Sequence, residues 1–341
     1  MNANKRLQEF ADALLEVSKS ITIKASARGW GYLLEGETLN GMTFTKADID
    51  RIERDVINCM KVGLIPVDFV AEEEARGFEG VETPDTDTPG EFFGTFLKAV
   101  MDCEDFYTPD WWKGESYYIQ MVVEKIDLKT LFAPVCREYH IPIATSKGWA
   151  SVRQRAIYAR RFKLAESKGL KCVLLYCGDF DPDGLRISDF LRKNLQDIAN
   201  IRWSSGLDGY DPRFLRIERF GLDYDFIIKN KLTWIENLIT GSKKDLASPS
   251  HPNYRLPYVQ EYLKSIGVRK CEANAIMKRP VEAEQLVRGA IEGYLGENAR
   301  QRFKRKRYAV EKKIRDLRDK TGLAEAVDEA LAIIEQEGDN R

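Results

Sequence analysis

The sequence lacks the marks of several protein classes. It has only six cysteines and two histidines in 341 residues, with no CxxC pair, so neither a zinc site nor a disulfide framework is indicated. No run approaches the ~18 consecutive apolar residues of a membrane-spanning helix, and the amino-terminal residues read as an amphipathic helix rather than a signal peptide. We therefore expect a cytoplasmic protein with no membrane partner.

The chain also has no GxxxxGK[ST] loop and no glycine-rich nucleotide motif, so an ATP-driven step would require a separate ATPase subunit. Its net charge is only −1, but its acidic and basic residues are concentrated in different segments. Residues 72–91 carry eight acids against one base, whereas "RQRFKRKR" at 300–307 has six bases in eight positions. Such a chain can present a basic groove to nucleic acid. The basic run at 300–307 is equally compatible with the solvated face of a terminal helix.

Three helical patterns occupy the amino-terminal region. Apolar residues recur at helical spacing over 4–18, a second helix is predicted at about 27–35, and "TFTKADIDRIERDVINCMKVG" has a capping threonine at its start and Gly63 at its end. The extended "LIPVDFVAEE" follows. Residues 1–78 therefore resemble a helix-turn-helix with a wing, a module that binds DNA in many proteins and protein in others.

The pattern changes after residue 116. The preceding segment, 79–116, contains "EGVETPDTDTPGE" and is predicted to be a linker. From Tyr117 onward, apolar runs alternate with helical periods; the runs are "YYIQMVVEK", "IPIAT" and "KCVLLYCGDFD". This alternation predicts an α/β domain over 117–341 with a mainly parallel sheet and a carboxyl-terminal helical extension.

Carboxylates follow two of these predicted strands. Glu124 comes after "IQMVV", and Asp179 and Asp181 come after "CVLLYCG". Ligands of parallel sheets gather at the carboxyl ends of the strands, and three carboxylates there would repel unless a cation or raised pKa values relieved the repulsion. Hard oxygen ligands suit Mg²⁺ or Mn²⁺. Taken singly, Glu124 is compatible with ordinary surface and Asp179 with a turn, while Asp183 is predicted to cap the helix that begins near Leu185.

These motifs resemble the Toprim domain of topoisomerases, primases and some nucleases. "GDFDPDGLRI" is similar to the form found in the topoisomerase VI A subunit and the meiotic double-strand-break protein, with support from "VVEKIDLKTLF", "TSKGWAS" and "KCEANAIMKRPVEAEQLVRGAIE". The resemblance covers roughly residues 20–300 and is nearest to the free-standing Mini-A relatives encoded mainly on mobile elements. It implies a winged helix followed by a Toprim domain, a Mg²⁺ cofactor with Glu124, Asp179 and Asp181 as ligands, and duplex DNA as partner.

The family carries a nucleophilic tyrosine in a pattern resembling Arg-x-x-Tyr-Tyr. In "SARGWGYLLEG", Arg28 matches the arginine and Tyr32 the second tyrosine, while Gly31 replaces the first. The resemblance implies strand cleavage through a 5′-phosphotyrosyl link, with Arg28 stabilising the phenolate. If the winged helix packs away from the Toprim, Tyr32 meets the metal of a second subunit in a homodimer. The alternative for Tyr32 is a partly buried aromatic beside Trp30 and Leu33.

Several basic residues are candidate contacts for the phosphate backbone: Arg28, Lys147, Arg153, Arg155, Arg302, Lys304 and Arg305. Two rival functions stay open. One is a hydrolytic Toprim nuclease in which Tyr32 is structural, and the other is a DNA-binding relative that has lost cleavage.

Overall fold

A computed structural model describes residues 3–21, 24–39, 42–66, 69–70, 88–146, 152–199, 209–239 and 244–338. The chain divides into two compact units. The first comprises 1–72 and 115–296, and the second comprises 73–114 and 297–341. Most of the acidic segment, residues 71–87, lies outside the described residues.

Thirteen helices and six strands are found in the described part of the chain. The helices are α1 (Ala3–Ser18), α2 (Ala27–Leu33), α3 (Ile49–Lys61), α4 (Pro89–Met101), α5 (Ile126–Glu138), α6 (Val152–Ser167), α7 (Pro182–Leu185), α8 (Ile187–Gln196), α9 (Tyr224–Lys229), α10 (Pro257–Ser265), α11 (Pro280–Leu295), α12 (Ala299–Asp319) and α13 (Leu323–Gly338). The strands are β1 (Thr38–Leu39), β2 (Met42–Thr43), β3 (Tyr117–Val123), β4 (Ile143–Thr145), β5 (Lys171–Cys177) and β6 (Arg216–Gly221). Within this part of the chain, no helix is long and apolar enough to cross a membrane.

The first unit is built on a four-stranded parallel sheet with the order β4-β3-β5-β6. This confirms the predicted α/β class and parallel sheet. Strands β3 and β5 are buried at every position after the first, because α5 packs with α11, and α6 with α8, over the sheet. The two central strands pair along their full length, from Tyr117 with Lys171 to Val123 with Cys177, so their carboxyl ends lie side by side.

The three predicted amino-terminal helices are present as α1, α2 and α3. The predicted wing, 64–73, lies partly outside the described residues: 64–66 and 69–70 are described and contain no strand. A short antiparallel hairpin of β1 and β2 instead precedes α3. A capping box formed by Thr45 and Asp48 begins the turn that leads into α3.

Helices α2 and α3 approach each other most closely at Gly31. A Cβ atom at that position would lie 2.8 Å from Ile49 Cγ2 and 3.2 Å from Ile49 Cα, closer than packed carbon atoms tolerate. The packing therefore explains why the chain has glycine at position 31: a side chain of any size would separate the two helices.

The second unit joins α4 to the carboxyl-terminal helices. Helix α4 packs on α13, and the buried Phe303 of α12 contacts the rings of Trp111 and Trp112. The prediction of a linker over 79–116 is therefore wrong for residues 88–106, which form α4 and a 3₁₀ turn. Thr88 and Glu91 form a capping box there, and Pro89 occupies the first turn of α4. Sequence composition at 79–91 suggested a loop because these start signals are themselves Pro, Thr and Glu.

We predict that Gly31→Ala destabilises the protein by about 1–3 kcal/mol through overpacking. Gly289→Ala is the matched control, because Gly289 also lies within a helix but has open space around it; it should be neutral or stabilising. Urea unfolding followed by circular dichroism measures both. Equal stability of the two variants would contradict the close approach of α2 and α3.

Candidate active site

The carboxyl ends of β3 and β5 bring two of the predicted acidic residues together. The backbone N–H of Glu124 donates to the carbonyl of Cys177, which continues the strand pairing by one residue. The backbone N–H of Asp179 then donates to Glu124 Oε2 at 2.8 Å. Strands β3 and β5 are therefore neighbours and Glu124 and Asp179 are adjacent, as a shared metal site would require. Their role as metal ligands stays a prediction.

Asp181 lies in the same pocket but has a second task. Its Oδ1 accepts a hydrogen bond from the N–H of Gly184 at 2.6 Å, so Asp181 is the N-cap of α7. The prediction that Asp183 is the cap is therefore wrong: Pro182 occupies the first helical position, where its fixed φ is favoured, so the cap is the residue before it. Asp183 instead accepts a hydrogen bond from the Tyr258 hydroxyl.

The acidic loop is folded tightly on a buried cation. A Cβ at Gly184 would lie 2.2 Å from the carbonyl oxygen of Asp179, so only glycine permits this turn. The guanidinium of Arg219 donates to the carbonyls of Gly178, Asp179 and Leu222. Arg219 thus fixes the loop backbone, a role that the sequence did not reveal because "LRIERFGL" reads as an ordinary strand.

Lys125 lies between the two adjacent carboxylates. Its Nζ is 3.2 Å from Glu124 Oε1 and 3.1 Å from Asp179 Oδ2. Burial alone would lower the pKa of the Lys125 ammonium, but Asp179 and Glu124 outweigh that effect and raise it. A lysine next to a glutamate is common on protein surfaces, so this bridging contact could not be predicted from the local residues.

The acidic residues retain an excess of negative charge. Burial raises the pKa of Glu124, and the neighbouring Asp179 adds to the shift. Burial, with smaller contributions from Asp179 and Glu124, raises the pKa of Asp181 to about 6. These shifts are those expected where carboxylates share a site with too little positive charge.

A second cavity continues the acidic pocket towards the amino-terminal helices. The acidic pocket, of about 600 Å³, is lined by Glu124, Lys125, Asp179, Asp181 and others. The second cavity, of about 610 Å³, is lined by Arg28 and Tyr32 together with Glu124 and Lys125. The two cavities share four lining residues and form one groove, which we call the acidic groove.

Tyr32 and Arg28 are held differently within this groove. Tyr32 is only 5% exposed, and burial raises the pKa of its phenol, although hydrogen bonds from Asn274 and Arg28 oppose the shift. Arg28 is exposed, and its Nη1 donates to Asp50 and Glu53 on α3. The guanidinium is thus already paired with two acids beside the groove.

A buried polar contact joins α2 to α5 and to the 3₁₀ turn Ala273–Lys278. The hydroxyl of Ser26, the N-cap of α2, donates to Asp127 Oδ1 at 2.5 Å, and Asn274 donates to Asp127 Oδ2 at 3.2 Å. A second buried pair joins Lys278 to Glu35. The expectation that Tyr32 cannot reach the acids of its own chain was conditional on the amino-terminal helices packing away from the α/β domain. That condition is not met, because these contacts join α2 and Glu35 to α5 and to the 3₁₀ turn.

The other predicted DNA contacts are dispersed. Arg155 donates to the carbonyl of Asn194 on α8, so its guanidinium is already engaged within the fold. Arg153 lies on α6, and its side chain is outside the described residues, as is Lys147. In the second unit, Lys304 and Arg305 are exposed on α12 and Arg302 is half-buried on the same helix.

The donor atoms in the groove suit a divalent cation, since carboxylate oxygens are typical ligands of Mg²⁺ and Mn²⁺. Within the described residues, however, no group of three or more Asp, Glu, His or Cys side chains has a geometry ready to hold a metal ion. For two of the carboxylates the structure shows why a metal geometry is not already formed. The Lys125 ammonium lies where a cation shared by Glu124 and Asp179 would bind.

Comparison of the chain with protein-family models, curated proteins and solved structures gave no match. Function must therefore be argued from the groove itself and from the motifs that resemble the Toprim proteins.

We predict that Asp181→Asn stabilises the metal-free protein above pH 6 by roughly 2–3 kcal/mol. In the native state the pKa of Asp181 is about 6, against an ordinary value of 3.8. The folded protein therefore holds this proton more tightly than the unfolded protein does, and it loses stability relative to the unfolded protein once the pH exceeds both pKa values. Stability of the unmodified protein should fall between about pH 4 and 6, and the two chains should be equally stable below pH 4. Asparagine caps a helix as well as aspartate.

Unfolding by urea in EDTA across this pH range provides the measurement. The control is Asp189→Asn, an exposed carboxylate on α8 paired only with Arg186, which should change stability little at any pH. A stability difference between Asp181→Asn and the unmodified chain that did not vary with pH would contradict the raised pKa.

Proposed function

We propose that this protein binds duplex DNA and cleaves it at the acidic groove in a reaction that depends on Mg²⁺ or Mn²⁺. The observation that carries the proposal is that the carboxylates at the ends of β3 and β5 and the Arg28–Tyr32 pair line one groove of one chain. Carboxylates beside a phenol and a guanidinium are suited to phosphoryl transfer. The resemblance of "GDFDPDGLRI" to the topoisomerase VI A subunit supports the same function.

Each residue has a defined task in this proposal. Glu124, Asp179 and Asp181 would hold the cation, which when bound would stabilise charge on the attacking and leaving oxygens. Tyr32 Oη forms a bond to the phosphorus and the bond from phosphorus to the 3′-oxygen breaks, which leaves a 5′-phosphotyrosyl link. The phenol proton ends on the released 3′-hydroxyl, and Arg28 stabilises the phenolate during transfer.

The proposal includes the partners that the resemblance implies. Cleavage of both strands of a duplex by this chemistry requires two tyrosines, so the protein would act as a homodimer. Strand passage would further require a separate ATPase subunit of the topoisomerase VI B type. Cleavage alone requires neither ATP nor that subunit.

Hydrolysis is the second candidate, and one observation favours it. Tyr32 is nearly buried and burial raises the pKa of its phenol, both of which oppose attack by the phenolate. In this version water is the nucleophile, Tyr32 is structural, and the DNA products carry no protein. A third version, DNA binding without cleavage, shares the groove but not the chemistry.

We predict that plasmid cleavage requires Mg²⁺ or Mn²⁺ and is lost, by at least ~100-fold, in Asp179→Asn, because that change removes a carboxylate at the centre of the groove. Asp189→Asn should cleave at the normal rate. Agarose electrophoresis of supercoiled plasmid with metal or EDTA gives the readout, and circular dichroism checks that both variants fold. Full cleavage in EDTA would refute the cation-dependent proposal.

We further predict a covalent protein–DNA adduct that Tyr32→Phe abolishes. Labelled plasmid is incubated with protein and metal and denatured, and protein attached to a 5′ end is detected. Tyr224→Phe is the control, since it keeps the ring beside Trp234 and lies on α9, away from the groove-lining residues. An adduct that persists in Tyr32→Phe excludes this nucleophile, and cleavage without any adduct establishes the hydrolytic version.

A further inference from the structure

The contact of Lys125 with the two carboxylates has the form of an internal counter-ion. One ammonium nitrogen lies within 3.2 Å of an oxygen of Glu124 and an oxygen of Asp179. Among the described residues no other lysine or arginine forms an ion pair with Glu124, Asp179 or Asp181. Lys125 is therefore the cation that these carboxylates have when no metal is bound.

Two other basic residues near the pocket, Arg219 and Lys270, are hydrogen-bonded elsewhere. Arg219 directs its guanidinium to three backbone carbonyls rather than to the carboxylates. The Nζ of Lys270, which lines the same pocket, donates to the carbonyl of Ile239. Neither can replace Lys125 without giving up its present hydrogen bonds.

Lys125 can leave this position without disturbing the fold. It is the N-cap residue of α5, but its side chain makes no capping hydrogen bond, and about a third of the side chain is exposed. Lysine also has a flexible four-carbon stem. The ammonium can therefore move while the backbone N–H of Glu124 stays paired with the carbonyl of Cys177 in β5.

We propose that Lys125 competes with the divalent cation for Glu124 and Asp179, and that metal binding releases its ammonium into the acidic groove to contact a DNA phosphate. The inference rests on the proposed cation site. A doubly charged ion is attracted to the same two carboxylates more strongly than one ammonium, and the freed lysine lines both parts of the groove, where a phosphate would lie.

This arrangement couples the two ligands of the site. Without metal, the ammonium and carboxylates satisfy one another and the groove presents acids to DNA, which repel it. With metal bound, the groove gains both the cation and the freed ammonium. DNA binding in the groove should therefore strengthen with metal by more than the charge of the ion alone would give.

The test compares Mn²⁺ binding by three full-length proteins: the unmodified chain, the Lys125→Met variant and the Lys129→Met variant. Lys129 is the matched control, since it lies one turn further along α5 and is not paired with either carboxylate. Isothermal calorimetry without DNA should show that Lys125→Met binds Mn²⁺ at least ~10-fold more tightly than the other two chains, a difference of about 1.4 kcal/mol.

Unfolding gives an independent readout. In EDTA, Lys125→Met should be less stable than the unmodified chain, because its paired carboxylates have lost their cation. Mn²⁺ should raise the melting temperature of Lys125→Met more than that of the unmodified chain or of Lys129→Met. A lysine with a purely structural role would not make the stabilising effect of Mn²⁺ depend on its presence.

The outcomes separate this inference from the proposed function. Equal Mn²⁺ affinity in all three chains, or weaker affinity in Lys125→Met, overturns the competition while leaving the cation site in place. Absence of Mn²⁺ binding in every chain refutes the cation site and the inference together. Tighter Mn²⁺ binding by Lys125→Met, together with a larger rise of its melting temperature in Mn²⁺, supports the competition between Lys125 and the cation.

Discussion

The buried carboxylate of Asp127 is the contact on which the arrangement of the groove depends. It accepts hydrogen bonds from Ser26 at the start of α2 and from Asn274 in the 3₁₀ turn Ala273–Lys278. One side chain of α5 thus joins the amino-terminal helices to the segment behind the acidic loop. A buried charge with its hydrogen bonds intact fixes relative position more strictly than apolar packing, because leaving any partner unmatched is costly.

Placement of like charges at the ends of parallel strands creates the second constraint. Parallel pairing in register forces the residues that follow β3 and β5 into contact, whatever their charge. The fold accommodates the repulsion by anchoring the loop backbone on Arg219, using Asp181 as a helix cap, and bridging the other two carboxylates, those of Glu124 and Asp179, with Lys125. Clustering these carboxylates lowers the stability of the fold, and clusters of this kind are typical of functional sites.

Much of this architecture could be predicted from local pattern. Alternation of apolar runs with helical periods predicted the parallel sheet. The adjacency of Glu124 and Asp179 was conditional on their two strands being neighbours, which the strand order of the sheet shows and the sequence does not. Contacts between residues distant in sequence could not be foreseen: nothing in "EKID" shows that Lys125 reaches Asp179 or that Asp127 reaches Ser26. The exchange of roles between Asp181 and Asp183 was foreseeable, because Pro182 marks the first residue of the helix.

The close approach at Gly31 has a consequence for related sequences. The space that a Cβ at position 31 would need is filled by the Cγ2 atom of Ile49, so the two positions cannot enlarge independently. A related chain with a larger side chain at position 31 should have a smaller residue at the position of Ile49, or a displaced α3. Covariation between positions 31 and 49 would thus record the spacing of two helices.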